Sequence, residues 1–448
     1  MRVILHTDKR QALLREAQTE IRENHGRVPD ADFYTRKLSA AWERARGSEA
    51  YGPGEGRGDI GEFSLDRFLH LPVTPRESLK AQPLLYAAAT PTEASKYYET
   101  TGTTGQPTPT PRLAEDTIWN TVSVAEAWRP LLGADERVVI LLPSDIVPVA
   151  DLISGVCEYL DLAHIRAYPF AAGISGWDRL ESMWRTFRPT TMFVAPGVAL
   201  QFTRLLAQRG ELGDLSSSVD RLMLLGEVNT APFRDRLGRW WNAQAYDASY
   251  GSTETGTLAA ACPHGGQHLL PAATFFELAT PDGVVPLHDR GEHREGRLVV
   301  TPLNAHARPL LRLDTGDEVS IGTDCPCGSA TPRITVHGRS ADALRVRGTP
   351  LSVRAVEEVV YGVTDATGYL LEVDGEGGYA RLLLERGVGA GRDGEPEERR
   401  RVQDRSEELL GLRWDDVVHV NSLPANTKSG ASQKSWKRSN IREVEVAR

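Results

Sequence analysis

Between residues 137 and 250 the chain alternates continuous apolar runs with longer stretches of helical spacing. The apolar runs predict four β-strands, at 137–142, 191–195, 221–225 and 244–250. The intervening stretches predict helices at 148–160, from 196 to about 209, and at 231–241. Continuous apolar runs are typical of strands buried on both faces, and their alternation with helices predicts a parallel sheet covered by helices.

The pattern changes on either side of this region. Residues 1–60 are charged and helical in spacing, whereas shorter strands follow residue 262, at 274–278, 296–301 and 317–321. Beyond residue 338 a helix–strand–strand–helix–strand order predicts a small α+β unit, with elements at 352–361, 368–373, 379–384, 397–410 and 417–420. The predicted fold is α/β: a large N-terminal domain (1–338) with parallel sheets and a β-rich subdomain, and a small mobile C-terminal domain (339–448).

Composition narrows the class of partner and the compartment. Apolar residues make up 40% and charged residues 25% of the 448 residues, as in an ordinary globular protein. A net charge of −9 argues against nucleic acid or an anionic membrane as the main partner. No apolar run approaches the roughly 20 residues of a membrane span, and the N-terminus turns polar too early for a signal peptide. We therefore expect a cytoplasmic protein.

Hydroxyl groups and glycines are concentrated in one short run near residue 100. Its members are Thr100, Thr101, Gly102, Thr103, Thr104 and Gly105. The hydroxyls and unobstructed backbone N–H groups of such a loop suit phosphate oxygens. Because an isolated run of this kind is more often a flexible polar turn, the phosphate-binding interpretation depends on further motifs.

Two carboxylates would complete a nucleotide site. Ligands of parallel sheets bind outside the carboxyl ends of the strands, where the segments 143–145, 195–197, 226–227 and 251–254 are predicted to lie. Glu254, next to the hydroxyls of Ser252 and Thr253, is suited to a Mg²⁺ ion that bridges phosphates, although a lone glutamate there is more often a helix N-terminal charge. Asp317, in a predicted turn at 313–317, suits two ribose hydroxyls.

Four segments together resemble, in order and spacing, the core motifs of the adenylate-forming superfamily (acyl-CoA synthetases and nonribosomal peptide adenylation domains). They are Thr101–Gly105, Tyr250–Glu254, Thr315–Asp317 and Gly338–Asp342. Within that superfamily, the short length and the segment Cys325–Ile334 are similar to the phenylacetate–CoA ligase branch. The resemblance covers residues 64–440, and four motifs in order carry it where each alone would be weak.

The resemblance implies a two-step reaction. A carboxylate attacks the α-phosphate of ATP to give an acyl-AMP and pyrophosphate, and a thiol, usually of CoA, then displaces AMP. It implies that Thr100–Gly105 bind the β- and γ-phosphates, and that Thr253 and Glu254 meet the α-phosphate and Mg²⁺. It also implies that the small domain rotates about residues 339–342. The other implied nucleotide-binding residues are Gly226, Glu227, Tyr250, Gly251, Ser252, Asp317 and Arg339.

The superfamily also implies a catalytic lysine in a glycine-containing loop near the C-terminus. The matching region is 423–436. It contains Lys428 and Lys434, and Lys437 follows it, so three of the chain's seven lysines lie within ten residues. In the usual pattern lysine follows glycine directly, but here Ala431 follows Gly430. Lys434 is the candidate and Lys428 the alternative.

The four cysteines, Cys157, Cys262, Cys325 and Cys327, are too few for a disulfide framework and indicate a reducing compartment. Cys262, Cys325 and Cys327, with His268, can supply four tetrahedral ligands to a structural Zn²⁺. Proline and glycine flank both the Cys262 segment and the Cys325–Cys327 segment. His264 is an alternative to His268. The other interpretation is independent buried thiols, whereas the phenylacetate–CoA ligase resemblance also favours zinc. Cys157 is predicted to lie in the core.

The acid-binding pocket is the least legible part. Phe170, Trp177 and Phe193 would suit an aromatic acid, but such residues fill cores as often. The leading hypothesis is an ATP-dependent ligase that activates a small carboxylic acid, which we expect to be aromatic, as acyl-AMP and transfers it to CoA, with ATP, Mg²⁺ and Zn²⁺ as cofactors. The alternatives are delivery of the adenylate to a carrier protein, an amine or nitrite, or a non-catalytic nucleotide-binding relative. A homodimer is left open.

Overall fold

A computed structural model describes residues 7–52, 60–100, 107–171, 174–287, 294–339, 344–375, 377–423 and 440–444. Backbone contacts divide the chain into two compact units. The first unit consists of Met1–Glu136, Pro143–His164 and Ala248–His337. The second unit consists of Arg137–Leu142, Ile165–Asp247 and Gly338–Arg448. The predicted boundary between residues 338 and 339 coincides with the start of the last segment to within one residue, and the domain division made from sequence stays a prediction.

Twelve α-helices lie in the described residues. They are α1 Asp8–Glu23, α2 Ala31–Arg46, α3 Leu65–His70, α4 Arg76–Ala81, α5 Ala114–Trp128, α6 Val149–Leu160, α7 Trp177–Phe187, α8 Pro196–Arg209, α9 Leu212–Ser216, α10 Ala231–Trp241, α11 Val353–Val363 and α12 Glu395–Leu410. A short 3₁₀ helix spans Pro83–Tyr86. The helices predicted from sequence at 148–160, 196–209, 231–241, 352–361 and 397–410 are therefore confirmed to within two residues at each end.

The strands are numbered in chain order. They are β1 Lys96–Glu99, β2 Pro109–Arg112, β3 Arg137–Leu141, β4 Ala163–Arg166, β5 Thr191–Val194, β6 Arg221–Leu224, β7 Gln244–Asp247, β8 Ser249–Ser252, β9 Gly256–Ala261, β10 Gln267–Leu269, β11 Thr274–Thr280, β12 Gly283–Pro286, β13 Arg294–Pro302, β14 Leu313–Gly322, β15 Arg333–Arg339, β16 Leu344–Val346, β17 Thr349–Leu351, β18 Gly368–Asp374, β19 Ala380–Glu385, β20 Asp416–Val420 and β21 Ile441–Val444.

The predicted parallel sheet is present, with strand order β4-β3-β5-β6-β7. Strands β3, β5, β6 and β7 pair in parallel, and Val139, Met192, Leu222 and Ala245 share one row. The first three of these residues are fully buried, as continuous apolar runs require. Strand β4 was not predicted, because its four residues are only partly buried and give no apolar run.

The run predicted as one strand at 244–250 is two strands in different sheets. Residues of β7 pair with β6, whereas those of β8 pair antiparallel with β9. The chain changes sheet at the buried Ala248, whose carbonyl oxygen accepts hydrogen bonds from Trp128 Nε1 at 3.0 Å and Ala261 N at 2.9 Å. Alternation of apolar residues cannot reveal such a crossing, because the period continues through it.

The predicted β-rich region is one eight-stranded sheet in the first unit, ordered β12-β11-β13-β14-β15-β10-β9-β8. Its buried face packs against the N-terminal helices in one hydrophobic core, to which α2 contributes Leu38 and Trp42 and β11 contributes Phe275. Edge-to-face ring contacts such as Phe68 with Phe275, at 5.6 Å, add to this burial. The sheet thereby holds β8, β9 and β14 in fixed relation.

The C-terminal part of the second unit has a four-stranded mixed sheet, ordered β20-β19-β18-β21, with α11 and α12 packed together. Helix α10 packs on α11, and the buried Arg236 donates hydrogen bonds to the carbonyl oxygens of Tyr361 at 2.9 Å and Ala366 at 2.6 Å. A cation at the C-terminal end of α11 offsets the partial negative charge there.

The predicted α/β class, with a β-rich part and an α+β C-terminal part, is confirmed. None of the helices in the described part of the chain is both long enough and apolar enough to cross a membrane.

Candidate active site and metal cluster

The threonine and glycine run forms the connection of the β1–β2 hairpin. Glu99 pairs with Pro109, and the next position is closed by two hydrogen bonds between Thr100 and Thr108. Thr100 N donates to Thr108 O at 3.2 Å, and Thr108 N donates to Thr100 Oγ1 at 2.9 Å. Thr100 therefore fixes the base of the loop, while Thr101, Gly102, Thr103, Thr104 and Gly105 lie outside the described residues.

A tight hairpin between β8 and β9 presents Thr253 and Glu254. A Cβ atom on Gly251 would lie 2.3 Å from Gly256 O and 2.9 Å from Thr257 Cα, so only glycine fits. The register shifts between Tyr250 and Gly251, which marks a bulge at this close approach. Ser252 Oγ accepts a hydrogen bond from Thr255 N at 3.2 Å, which closes the turn.

Arg112 joins β2 to this hairpin. It ends β2, and its Nη2 donates to the carbonyl oxygens of Thr253 at 2.7 Å and Glu254 at 3.2 Å. Glu254 is only 7% exposed. A largely buried carboxylate in this turn would suit Mg²⁺ as an oxygen donor. Thr253 and Glu254 thus lie together in a turn that is bonded to β2, Thr100 lies at the other end of the β1–β2 pair, and their roles in nucleotide binding stay predictions.

Asp317 is brought to Tyr250 by a bulge and not by the predicted turn. Arg297 pairs with Glu318 and Val299 with Asp314, so one residue of β13 faces three residues of β14. Thr315 Oγ1 donates to Leu298 O at 2.9 Å and accepts from Asp317 N at 3.2 Å, which holds the bulge. Tyr250 then donates its hydroxyl to Asp317 Oδ2 at 2.6 Å. The turn prediction at 313–317 is wrong, because the ladder of β14 continues on both sides.

The second unit carries the remaining predicted nucleotide-binding residues. Gly226 has a φ of +90°, and Glu227 Oε2 accepts a hydrogen bond from Gly197 N at 2.8 Å, at the start of α8. A carboxylate at a helix N-terminus interacts favourably with the helix dipole. Arg339 is the last residue of β15. Lys434 and Lys428 lie outside the described residues.

Sequence reasoning missed a second carboxyl group beside Glu227. Glu357 of α11 is buried, and its Oε2 has no hydrogen-bond partner among the described residues. Burial, reinforced by the charge of Glu227, raises the pKa of Glu357 to about 8. No motif marks this residue, because an isolated glutamate on an amphipathic helix is ordinarily a surface charge.

The aromatic residues proposed for the acid pocket pack mainly on one another in the second unit. Phe170 meets Trp177 edge-to-face at 5.6 Å, Trp177 stacks on Phe202 at 5.4 Å, and Phe193 is fully buried in β5. These contacts favour core packing for Phe193, whereas Phe170 and Trp177 are only partly buried.

The predicted metal ligands form one cluster in the first unit. One ligand atom from each of Cys262, His268, Cys325 and Cys327 lies within 4.8 Å of the others. Cys262 Sγ is 3.6 Å from Cys325 Sγ, and Cys327 Sγ is 3.3 Å from His268 Nε2. Three sulfurs and one imidazole nitrogen are a donor set and number that structural Zn²⁺ takes. His264 is not part of the cluster.

Surrounding groups orient these donors. His268 Nδ1 lies 2.9 Å from Thr331 O, a contact that protonates Nδ1 and leaves Nε2 with its lone pair toward Cys327. Burial opposes ionisation of Cys325, but the N–H of Cys327 and hydrogen bonds with His268 and the two other thiols lower its pKa to about 7. Burial raises the pKa of Cys262 to about 11. A cation would have to displace the proton of that thiol.

The chain is similar in sequence and in fold to known acyl-CoA ligases. A phenylacetate–coenzyme A ligase of Thermus thermophilus is 25% identical over 312 residues, which cover 67% of each chain. A 2-hydroxyisobutyryl-CoA ligase, solved in the postadenylation state with 2-HIB-AMP, matches 98% of this chain and 90% of its own with a TM-score of 0.71 and 19% identity. The chain has the fold of the adenylate-forming ligases.

A further solved relative agrees with this placement. The anthranilate CoA ligase AuaEII, in complex with anthranoyl-AMP, has a TM-score of 0.52 and 17% identity over 74% of this chain and 64% of its own. No family model matches the chain. The resemblance to the adenylate-forming superfamily, predicted from four motifs, and to its phenylacetate–CoA ligase-like branch, predicted from the length and the segment Cys325–Ile334, is confirmed by these relatives.

Proposed function

We propose that the protein activates a carboxylic acid, aromatic in character, as an acyl adenylate with ATP and then transfers the acyl group to CoA. The observation that carries this proposal is one hydrogen-bonded frame in the first unit. In it Arg112 of β2 donates to the backbone carbonyl oxygens of Thr253 and Glu254, and the same hairpin presents Tyr250 to Asp317. These are the groups that a nucleoside triphosphate needs at its two ends.

Each group has a chemical task in the first half-reaction. The acid's carboxylate oxygen attacks the α-phosphorus of ATP, the bond to the bridging oxygen breaks, and pyrophosphate leaves. The loop at Thr100–Gly105 would bind the β- and γ-phosphates, and Asp317 would accept hydrogen bonds from the ribose hydroxyls. Mg²⁺ held by Glu254 would supply charge stabilisation to the phosphates. Positioning and charge stabilisation are the protein's main contributions to such a transfer.

The remaining predicted residues would act around the base and the reacting carboxylate. Gly226 and Glu227 would border the adenine, and Arg339 would lie near the ribose or a phosphate. Lys434 would neutralise the charge that develops between the carboxylate and the α-phosphate. In the second half-reaction the thiolate of CoA attacks the acyl carbon and AMP leaves as the phosphate monoester.

CoA is favoured as acceptor because the similar proteins are named as CoA ligases. A carrier protein, an amine or nitrite as acceptor remains the alternative, since Ala431 stands where the lysine loop usually has lysine.

We also propose that Cys262, His268, Cys325 and Cys327 bind a structural Zn²⁺. All four donors belong to the protein, so the site is closed and leaves no position for substrate. The cation would tie the β9–β10 turn to the segment before β15. We place the enzyme in the cytoplasm on the basis of its free cysteines.

A two-stage assay tests the proposal. The purified chain is first given Mg²⁺, ATP and a panel of aromatic and aliphatic acids, and pyrophosphate release is measured. CoA is then added to the acids that react, and the thioester is sought by mass spectrometry. We expect acid-dependent pyrophosphate and a thioester with at least one aromatic acid, and neither with Glu254→Gln. ATP binding without pyrophosphate for any acid would identify a non-catalytic relative, and pyrophosphate without thioester would identify another acceptor.

A further inference from the structure

Arg308 is a fully buried cation beside the candidate nucleotide site. It lies between β13 and β14 and is only 1% exposed. Its Nη1 donates to Pro109 O at 2.7 Å, and its Nη2 donates to Thr110 Oγ1 at 3.0 Å. Both acceptors belong to β2, the strand by which the chain leaves the phosphate-type loop.

The charge of Arg308 is only partly compensated. Its Nε has no hydrogen-bond partner among the described residues. Burial lowers the pKa of Arg308 to about 10, the nearby Arg112 acts in the same direction, and Glu254 and Asp116 oppose them. Two neutral acceptors do not offset the cost of burying a guanidinium, and Glu254 and Asp116 are the carboxylates that favour its charged form.

The segment that carries Arg308 is itself fixed at its other end. Asp116, near the start of α5, accepts hydrogen bonds from His306 N at 2.6 Å and Ala307 N at 3.2 Å. Helix α5 begins two residues after β2 ends. The segment 306–308 is therefore bonded to α5 through Asp116 and to β2 through Arg308, and these bonds fix its position beside both elements.

Two arginines thus bond β2 to other parts of the first unit. Arg112 extends from β2 to the backbone of the Thr253–Glu254 turn, and Arg308 extends to β2 from the segment before β14, the strand of Asp317. These guanidinium groups thus connect β2 with the Glu254 hairpin and with the segment that leads into the Asp317 strand.

We propose that Arg308 is a positioning residue for the nucleotide: it fixes β2, which Arg112 in turn joins to the backbone of the Thr253–Glu254 turn. The inference rests on the proposed function, because it assigns Glu254 to Mg²⁺·ATP. Arginine is required because its planar group donates to two acceptors of β2 in fixed directions. Lysine would keep the charge but lose the paired donation.

Arg308→Lys is the first variant to test, with Arg312→Lys as the matched control. Arg312 lies four residues further on and is equally buried, but it pairs with Glu277 at 2.9 Å, away from β2. We expect Arg308→Lys to raise both the KM for ATP and the Mg²⁺ concentration for half-maximal pyrophosphate release by about tenfold, with kcat changed less than the KM. Arg312→Lys is expected to lower the thermal midpoint without moving either constant.

Thr110→Val is the second variant, for use also if Arg308→Lys does not fold. It keeps the volume of Thr110 and removes one acceptor of Arg308, so a smaller shift of the same two constants is expected. A lower thermal midpoint with unchanged KM and Mg²⁺ dependence in both variants would overturn the inference and leave Arg308 with a purely structural role.

The wild-type chain separates this result from failure of the proposed function. If the wild type binds Mg²⁺·ATP in a calorimeter but releases no pyrophosphate, the proposed reaction fails, and the same variants then test Arg308 through the Kd for Mg²⁺·ATP. If the wild type does not bind Mg²⁺·ATP, both the function and the role of Arg308 are overturned.

Discussion

The hydroxyl of Tyr250 donates a 2.6 Å hydrogen bond to Asp317 Oδ2, although 67 residues separate them in the chain. Three strands, β15, β10 and β9, lie between their strands in the sheet. The bond therefore depends on the curvature of the sheet and on the bulge at Thr315–Asp317. It orients the carboxylate that we assign to ribose.

Replacing this phenol tests the assignment. In Tyr250→Phe, Asp317 loses its orienting donor, and we expect the KM for ATP to rise by about three- to tenfold with little change in kcat. Tyr159→Phe is the matched control. Tyr159 of α6 donates an equally short hydrogen bond, 2.6 Å, to Glu126 of α5, and neither residue belongs to the candidate site. The control should lose stability and keep its KM. An unchanged KM in Tyr250→Phe would remove the pair from nucleotide binding.

Gly251→Ala is expected to disrupt the β8–β9 hairpin. The new methyl group would lie 2.3 Å from Gly256 O, so the backbone must move and carry Thr253 and Glu254 with it. We expect a loss of stability of about 2 kcal/mol or more, measured by urea denaturation, together with reduced pyrophosphate release. Gly133→Ala, with nothing within 4 Å of the added methyl, is the control and should leave both unchanged. A fully active Gly251→Ala enzyme would contradict the rigid hairpin.

Metal analysis tests the cysteine and histidine cluster. We expect about one zinc per chain by mass spectrometry of the metal, and loss of that zinc in Cys327→Ser. Because binding of a structural metal stabilises the folded state, the thermal midpoint should fall by about 5 °C or more in this variant or after chelation. Cys157→Ala, a change of the buried thiol in α6, should keep the metal. If the wild-type protein contains no zinc and a chelator leaves its thermal midpoint unchanged, these four side chains are three ordinary thiols and an imidazole that bind no metal.

The buried Glu357 predicts a pH-dependent stability. Its pKa of about 8 in the folded chain exceeds the value of about 4.3 expected when it is unfolded. Between these values the folded state binds more protons, so its contribution to the free energy of unfolding falls as the pH rises.

Glu357→Gln should remove this dependence. The stability of the variant relative to wild type should be greater by about 4 kcal/mol at pH 8 than at pH 4.5, because this interval spans most of the gap between the two pKa values, and urea denaturation at both pH values measures it. The same difference at the two pH values would show that Glu357 is not the titrating group.

The assignment of the catalytic lysine can be decided by three single variants. We expect Lys434→Ala to lower kcat for acid-dependent pyrophosphate release by at least about a hundredfold, with little effect on the KM for ATP. The reason is that the variant loses an interaction of the lysine that forms only in the transition state. Lys428→Ala should have a smaller effect, and Lys437→Ala none. If Lys428→Ala has the larger effect, the catalytic role passes to Lys428.

Local patterns predicted the parts of the site that are contiguous in the chain. Tyr250–Glu254 and the threonine–glycine run are recognisable because one loop supplies all their groups. Asp317 was correctly predicted as a candidate site residue, but it was placed in a turn and lies in a bulge of β14. The residues Thr-Gly-Asp are compatible with both structures. The strand at 244–250 was merged because hydrophobic periodicity does not register a change of sheet.

The parts missed are those that depend on distant contacts. Arg308 reaches Thr110 across 198 residues, and neither residue belongs to a motif. Buried arginines and a buried glutamate such as Glu357 contradict the usual exposure of charged residues. Only the folded chain shows which charges are enclosed together, and for that reason Arg308, Arg112 and Glu357 were not predicted.

The crossing of the chain at Ala248 has a consequence for synthesis of the protein. Helices α1, α2 and α5 leave the ribosome long before residues 248–337, which supply the sheet that covers their apolar faces. During that interval Leu38, Trp42 and their neighbours lack the partners that the sheet supplies, and apolar surface left exposed in this way favours aggregation. Chaperones that shield the nascent N-terminal helices are therefore expected to raise the yield of folded protein.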